Sequence, residues 1–222
     1  MTKHAYTTQL VRGGALVAVV LLLQACSGIS KIDVQKLVTQ GRDGWQLPDQ
    51  VVEAVRPAPG DVVADIGAGK GYFLPWFSAA VGPSGTVYAV EVDAPLVRNL
   101  RARVEAEELF NVTVIHATFD DPGLPDGTVD LVLTCNTYHH IEDRTAYFAR
   151  LQTDLKPGGR VVHIDHRDNM TGILRLFQTT DHWTNVEAMR TEMSSAGYQR
   201  VQGYDFLPLQ NFEVFIPHPV SS

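Results

Sequence analysis

From Asp61 to His166 the sequence sets short apolar β-type runs against helix-length stretches, and this rhythm restricts the possible folds more than any other feature. "DVVADIG" (61–67) ends in glycine. The following "YFLPWFSAAVG" carries Pro75, which a helix tolerates only in its first turn, so that helix should start near Phe73 or Leu74. "GTVYAVEVD" reads as the next strand and "APLVRNLRARVEAEEL" as the next helix, with Leu96, Val97, Leu100 and Val104 spaced for one face. "NVTVIHA", "TVDLVLTC" and "GRVVHIDH", the last behind a Lys-Pro-Gly-Gly turn at 156–159, are further strands, and "RTAYFARLQTDL" is a helix. Strands alternating with helices of this length predict a parallel sheet covered on both faces. Upstream, Asp49 is the expected N-cap of a short helix that Pro57 and Pro59 stop. Downstream, Thr184 with Glu187 three residues later has the form of a capping box. "YQRVQGYDFL" and "QNFEVFI" then follow with only a turn between them, so they must pair antiparallel.

A length of 222 residues, 45% of them hydrophobic and 19% charged, suits one globular domain. The net charge of −7, with no basic cluster to offset it, argues against nucleic acid as a partner. The first 26 residues stand apart. Lys3 and Arg12 precede "GGALVAVVLLLQAC", an apolar run as long as a signal-peptide core and short of the roughly 20 residues that span a bilayer. Leu23-Gln24-Ala25-Cys26 resembles the bacterial lipoprotein box, departing from it at Gln24, where a small residue is usual. The resemblance implies cleavage and lipidation at Cys26, with enough acyl chains for a stable membrane anchor. Ser27 stands where aspartate would signal inner-membrane retention, which points to the outer membrane and a periplasm-facing protein. Residues 1–26 are then a signal peptide, 27–47 a tether and lead-in segment, and 48–222 the folded domain. Arg42 and Trp45, in the lead-in, are either a lid over a pocket or surface anchors. With Cys26 taken up by the signal and its lipidation, Cys135 is the other cysteine, and no intrachain disulfide or cysteine-based metal site is then expected. It reads as a small buried strand residue rather than a nucleophile.

"DIGAGKGYF" (65–73) places glycines at 67, 69 and 71 directly after the first strand. A triphosphate-binding loop needs a Gly-Lys pair followed by Ser or Thr, and a glycine five residues before that pair. Here Gly71 follows Lys70, and Ala64 occupies the upstream position. A dinucleotide-binding turn needs its third glycine where Tyr72 stands, and a bulky aromatic there disfavours pyrophosphate. What remains is a glycine turn preceded by Asp65, with Glu91 at the end of the next strand. An ionised carboxylate at Glu91 can accept from both hydroxyls of a ribose. Asp65 would favour a cationic ammonium or sulfonium group, and the glycines allow close approach of an amino-acid tail. Asp93 is the expected N-cap of the helix opening at Ala94 and Pro95, with a share in ribose binding as the alternative.

Taken together, "VADIGAGKGYF", "VYAVEVD", "LPDGTVDLVLTCNTYHHI" and "LKPGGRVVHID" resemble the class I S-adenosylmethionine-dependent methyltransferases over roughly residues 48–216. The resemblance implies a three-layer Rossmann-like α/β fold whose seven-stranded sheet is mostly parallel, with an antiparallel C-terminal strand between the fifth and sixth. It implies S-adenosyl-L-methionine as methyl donor. Gly67, Gly69 and Gly71 would line the methionine and ribose portion, Asp65 would support the turn or the amino group, and Glu91 would bind ribose. Thr118, with Asp120 and Asp121 shortly after, falls where many members hold adenine, and Asn136 falls near the methionine part. The acceptor would be a small or lipid-like molecule. Methyl transfer is a direct in-line displacement, so positioning can supply much of the rate and a base is optional. "CNTYHHIED" is the place to seek one, because ligands bind beyond the carboxyl ends of parallel strands. Tyr138, His139 and His140 are the polar groups expected to face the acceptor, with at most one histidine serving as base. The alternative for both histidines is a cap on the following helix or a place in the pocket wall. A metal role for them lacks a third ligand at suitable spacing. The rival reading of the whole chain is a membrane-anchored, non-enzymatic envelope lipoprotein with a nucleoside-binding or relic Rossmann-like domain. S-adenosylmethionine is made in the cytoplasm, which an exported protein leaves.

Overall fold

The computed structural model describes residues 41–167 and 184–219. The expected signal peptide, Cys26 and the tether as far as residue 40 lie outside the described residues. In chain order the elements are α1 (Asp43–Gln46), α2 (Pro48–Val55), β1 (Val62–Ile66), α3 (Leu74–Val81), β2 (Thr86–Glu91), α4 (Ala94–Ala106) and β3 (Val112–His116). There follow β4 (Val129–Cys135), a 3-10 turn (Tyr138–His140), α5 (Arg144–Leu151), β5 (Leu155–His166), α6 (Val186–Ser195), β6 (Tyr198–Tyr204) and β7 (Gln210–Pro217).

The strands form one seven-stranded sheet in the order β3-β2-β1-β4-β5-β7-β6. β1 to β5 pair in parallel, and β7 lies antiparallel to both β5 and β6. This is the expected Rossmann-like architecture, with the last strand inserted between the fifth and sixth. Side chains alternate across a strand, so Leu131 and Leu133 of β4 join one core while Val132 joins the other. The first core packs α2, α3 and Leu100 of α4 against the sheet. The second packs Tyr147, Phe148 and Leu151 of α5 and Met189 and Met193 of α6 against the opposite face.

The helix starts follow local chemistry, with two departures from the sequence reading. α3 begins at Leu74 with proline in its first turn, and the Asp93 carboxylate caps α4 by accepting from the Leu96 N–H at 2.9 Å. Asp49, however, lies in the first turn of α2. The N-cap is Leu47 in a left-handed conformation, because Pro48 already occupies the first helical position. The capping box at Thr184 is also corrected. Asn185 caps α6 by accepting from Ala188 N–H, while the Thr184 N–H bonds back to the His166 carbonyl at the end of β5.

The second core holds one polar side chain at its centre. His163 of β5 is fully buried among Tyr138, Phe148 and Phe215. Its Nδ1 lies 2.7 Å from Thr134 Oγ1 and its Nε2 3.3 Å from Met193 Sδ. Both contacts suit a neutral ring. Burial pulls its pKa from 6.5 down to about 3, against an opposing pull from Asp165. The unfolded chain therefore takes up a proton here near pH 6.5 that the native chain refuses until about pH 3, so stability falls as pH drops through that window. Between pH 7.5 and pH 5 this group should cost about 2 kcal/mol. Urea midpoints measured at the two pH values for the unaltered chain and for His163→Phe should show that much less loss in the variant; an equal loss in both would refute the assignment.

Candidate functional site

The chain leaves β1 at Ile66 and turns through Gly67–Gly71 into α3. Gly67 has φ +72°, and a Cβ there would lie 2.3 Å from the Thr137 side chain. Gly71 has φ +76°, and a Cβ there would lie 2.7 Å from Leu74 Cδ1 and 2.9 Å from Leu100 Cδ2. Neither position admits another residue without strain. Side chains from outside the turn hold its backbone, among them Thr137, whose Oγ1 lies 3.4 Å from the Gly67 carbonyl. Arg103 of α4 donates to the Lys70 and Gly71 carbonyls at 2.7 and 2.9 Å. Glu91, at the end of β2, accepts from Gly69 N–H at 2.9 Å through one oxygen, and from Val92 and Asp93 N–H at 2.8 and 3.0 Å through the other. A carboxylate offers about four acceptor positions, so capacity for a ligand hydroxyl remains.

β1 and β4 are neighbours whose connections leave to opposite sides, and a crevice opens beyond their carboxyl ends. Two cavities lie there. The larger, about 780 Å³, is lined by Glu91, Leu96, Thr118, Phe119 and His140 among others. The smaller, about 200 Å³, is lined by Arg42, Asp65, Gly69, Lys70, Tyr72 and Cys135 among others. Gly67 and Asn136 belong to both walls. The glycine turn thus stands at the junction of a two-part cleft.

The expected cofactor residues gather along this cleft, except that Gly71 is turned toward Leu74 and Leu100 and shapes the turn from behind. Asp65 is 3% exposed and receives no hydrogen bond among the described residues. Burial raises its pKa from 3.8 to about 7, with Arg42 opposing the rise and Glu91 adding to it. Thr118 lines the larger cavity and donates through Oγ1 to Asp120 Oδ1 at 2.8 Å, which helps hold the Asp120 carboxyl below its usual range. Asn136 has a left-handed backbone, φ +56°. Its Oδ1 accepts from Gln210 Nε2, and Gln210 Oε1 accepts from Gln46 Nε2, each at 2.7 Å. This chain of amides joins β4, β7 and the lead-in segment.

The three residues expected to face the acceptor separate. Tyr138 is corrected: its ring is 1% exposed in the second core, stacked on Phe148, and its hydroxyl donates to Glu192 of α6 at 2.5 Å. It points to the far side of the turn because the turn reverses direction there. His139 lies against Asp165 at the end of β5. Its Nδ1 is 2.8 and 3.0 Å from the two carboxylate oxygens, and its main-chain N–H donates to the same group at 3.3 Å. The side chains are 6% and 0% exposed. Asp165 also accepts from His166 N–H at 2.8 Å. His140 is exposed and lines the larger cavity. The helix cap belongs to Asp143, which accepts from Ala146 N–H at 3.1 Å.

Of the lead-in residues, Arg42 lies in the wall of the smaller cavity and Trp45 stacks near His166 with ring centroids 6.2 Å apart. Burial pushes the Cys135 thiol up to about 12, which keeps it unreactive at neutral pH. Sequence reasoning missed Asp165, Gln210, Gln46 and Arg103. Asp165 alone left a signal, as an acid at the carboxyl end of the apolar run "VVHID".

The family model described as a methyltransferase domain matches residues 63–159. Among curated relatives, nocamycin O-methyltransferase of Saccharothrix syringae is 32% identical over 112 residues, which is 50% of this chain and 40% of the relative. Aklanonic acid methyltransferase of Streptomyces sp. (strain C5) is 25% identical over 138 residues, 62% of this chain and 60% of the relative. The chain therefore spans about half the length of these relatives. Among solved structures, a SAM-dependent methyltransferase from Aquifex aeolicus aligns with a TM-score of 0.72 at 24% identity, covering 84% of this chain and 97% of that one. Residues 63–159 of this chain thus match a methyltransferase-domain model, and the chain shares the fold of the Aquifex aeolicus structure.

Proposed function

We propose that the protein binds S-adenosyl-L-methionine and transfers its methyl group to an oxygen nucleophile on a small or lipid-like acceptor. The observation that carries this reading is the two-part cleft joined at Gly67 and Asn136. The larger part has apolar walls, including Val92, Leu96 and Ile141, with Glu91 and Thr118 along it, and suits a base and a ribose. The smaller part holds the buried Asp65 carboxylate, which suits a cation. The cofactor supplies a methyl group on a sulfonium, already activated for displacement. The protein's own contribution is then to fix the ribose at Glu91, keep the glycine turn close to the ligand and exclude water from the junction.

A hydroxyl acceptor must also lose a proton, and of the two histidines His140 lines the larger cavity whereas His139 lines neither. An ionised carboxylate only accepts hydrogen bonds, so Nδ1 of His139 donates to Asp165, which anchors the turn that carries His140. Asp165 is a positioning residue, fixing the tautomer and the ring plane. The oxygen acceptor accords with the name of the nocamycin O-methyltransferase relative. Export and lipidation at Cys26 complete the proposal, with the domain held at the outer membrane and facing the periplasm.

Isothermal titration of the full-length chain in detergent should show binding of both S-adenosylmethionine and S-adenosylhomocysteine, weakened about tenfold or more by Glu91→Ala. No heat with either ligand would sink the cofactor assignment. Nitrogen NMR of ring-labelled histidine should show His139 donating to Asp165 through Nδ1, and Asp165→Asn should abolish that signature; the same spectrum in both proteins would refute Asp165 as the residue that fixes the ring. Full-length protein expressed in a bacterium should fractionate with the outer membrane and incorporate labelled fatty acid, and Cys26→Ala should lose both. Labelling that persists in the variant would refute lipidation at Cys26.

A further inference from the structure

We propose that Arg42 and Asp65 together hold the amino-acid end of the cofactor, Arg42 taking its α-carboxylate and Asp65 its α-ammonium, so that Arg42 selects ligands that retain a carboxylate. The inference rests on S-adenosylmethionine as the ligand and adds a recognition residue from outside the matched domain. The two opposite charges line the same 200 Å³ cavity. They feel each other, since Arg42 lowers the pKa of Asp65. Yet they form no ion pair, and no carboxylate among the described residues pairs with Arg42. A cavity flanked by a separated cation and anion matches a zwitterion in both sign and order.

Arg42 is also held ready for this role. Its Cζ lies 3.8 Å from the centroid of the Tyr72 ring. The Tyr72 hydroxyl donates to Asp43 Oδ1 at 2.6 Å, which fixes the ring to the segment that carries Arg42. Nη2 reaches Gln46 Oε1 at 3.3 Å and Cys135 Sγ at 3.8 Å, contacts too long to satisfy a guanidinium. Stacking covers the planar face and leaves the N–H edges for a planar, bidentate acceptor such as a carboxylate. Gln46 is 0% exposed and tied to Gln210, so α1 presents Arg42 from a fixed base.

Lys70 is the competing cation, since it lines the same cavity. It is exposed, and no aromatic face or hydrogen bond holds its ammonium in place among the described residues. Glu91, Cys135, Tyr72 and Asp43 are the other titratable groups near Asp65 and Arg42, and none carries the positive charge that a carboxylate requires.

The test compares S-adenosylhomocysteine, which keeps the amino-acid chain, with 5′-methylthioadenosine, which lacks it, on the full-length chain in detergent. The unaltered chain should bind S-adenosylhomocysteine at least about tenfold more tightly. Arg42→Gln should weaken S-adenosylhomocysteine by about 10- to 100-fold and leave methylthioadenosine within about twofold. Arg42→Lys should fall between, and Lys70→Gln should change neither ligand by more than about threefold. Retained methylthioadenosine binding shows that the variant pocket is intact. An unchanged ratio of the two affinities in Arg42→Gln, or transfer of the loss to Lys70→Gln, overturns the role of Arg42 alone. Failure of the unaltered chain to bind either ligand overturns the cofactor reading and this inference with it.

Discussion

The close approach of Gly67 to Thr137 sets the geometry on which the cleft depends. β1 and β4 are adjacent in the sheet but far apart in sequence, and each must turn away at its carboxyl end. With a Cβ at residue 67 the two turns would collide, at a separation of 2.3 Å. With none, they pass each other closely enough that one short wall, Gly67 and Asn136, serves both cavities. Glu91 then reaches across from β2 to take the Gly69 N–H, so the turn is bound to the strand on its other side as well. Three neighbouring strands thus fix a single stretch of backbone, which also packs closely against Thr137, Leu74 and Leu100.

The antiparallel hairpin at the C terminus contributes to the same site in a less direct way. β7 pairs with β5 along the length of the sheet and brings Gln210 opposite His166 at the strand end. From there Gln210 links Asn136 on β4 to Gln46 in the lead-in segment, with both amides fully buried. A buried amide must be paired to avoid a desolvation penalty of the order of 1–3 kcal/mol, so this chain of bonds fixes three separate segments in one register. Arg42 consequently belongs to the cleft wall with Gln46 bracing its segment, although in sequence residues 42–46 look like the last turn of a tether.

Parallel pairing and the place of the glycine turn were legible in the sequence because each follows from a short-range pattern, whereas the place of the last strand between the fifth and sixth came only from the family resemblance. Runs such as "VVADIG" and "LVLTC" have one length and one periodicity, and glycines at 67 and 71 occur where side chains cannot fit. Helix caps were legible where one residue decided them, as at Asp93, and misread where a neighbour intervened. Leu47 displaced Asp49 because Pro48 follows it, and Asn185 displaced Thr184 because the latter is engaged by the end of β5. The direction of a side chain on a reversing turn was not legible at all. Tyr138, His139 and His140 are consecutive in sequence, yet they enter the core, a hydrogen bond with Asp165 and a cavity wall respectively. The partner that distinguishes His139, Asp165, lies 26 residues away and was visible only as an acid ending an apolar strand.

The buried charge at Asp65 bears on whether the cleft is a working site or a remnant. The unfolded chain ionises this carboxyl near pH 3.8, the native chain only near pH 7. Stability is therefore lost progressively as pH rises between those values, and above pH 7 the cost approaches about 4 kcal/mol as a ceiling. No donor among the described residues offsets it. Replacing Asp65 by an uncharged residue of similar size would remove the penalty without disturbing the parallel register of β1, since its backbone already pairs with β2 and β4. A scaffold with no ligand gains nothing from the charge. A cationic ligand seated beside Asp65 would offset the cost at the moment of binding, which is the circumstance in which an acid in this position is favourable. Arg42 across the cavity is exposed and carries no such burial cost, so it is Asp65 that marks the cavity as a place for recognition rather than folding.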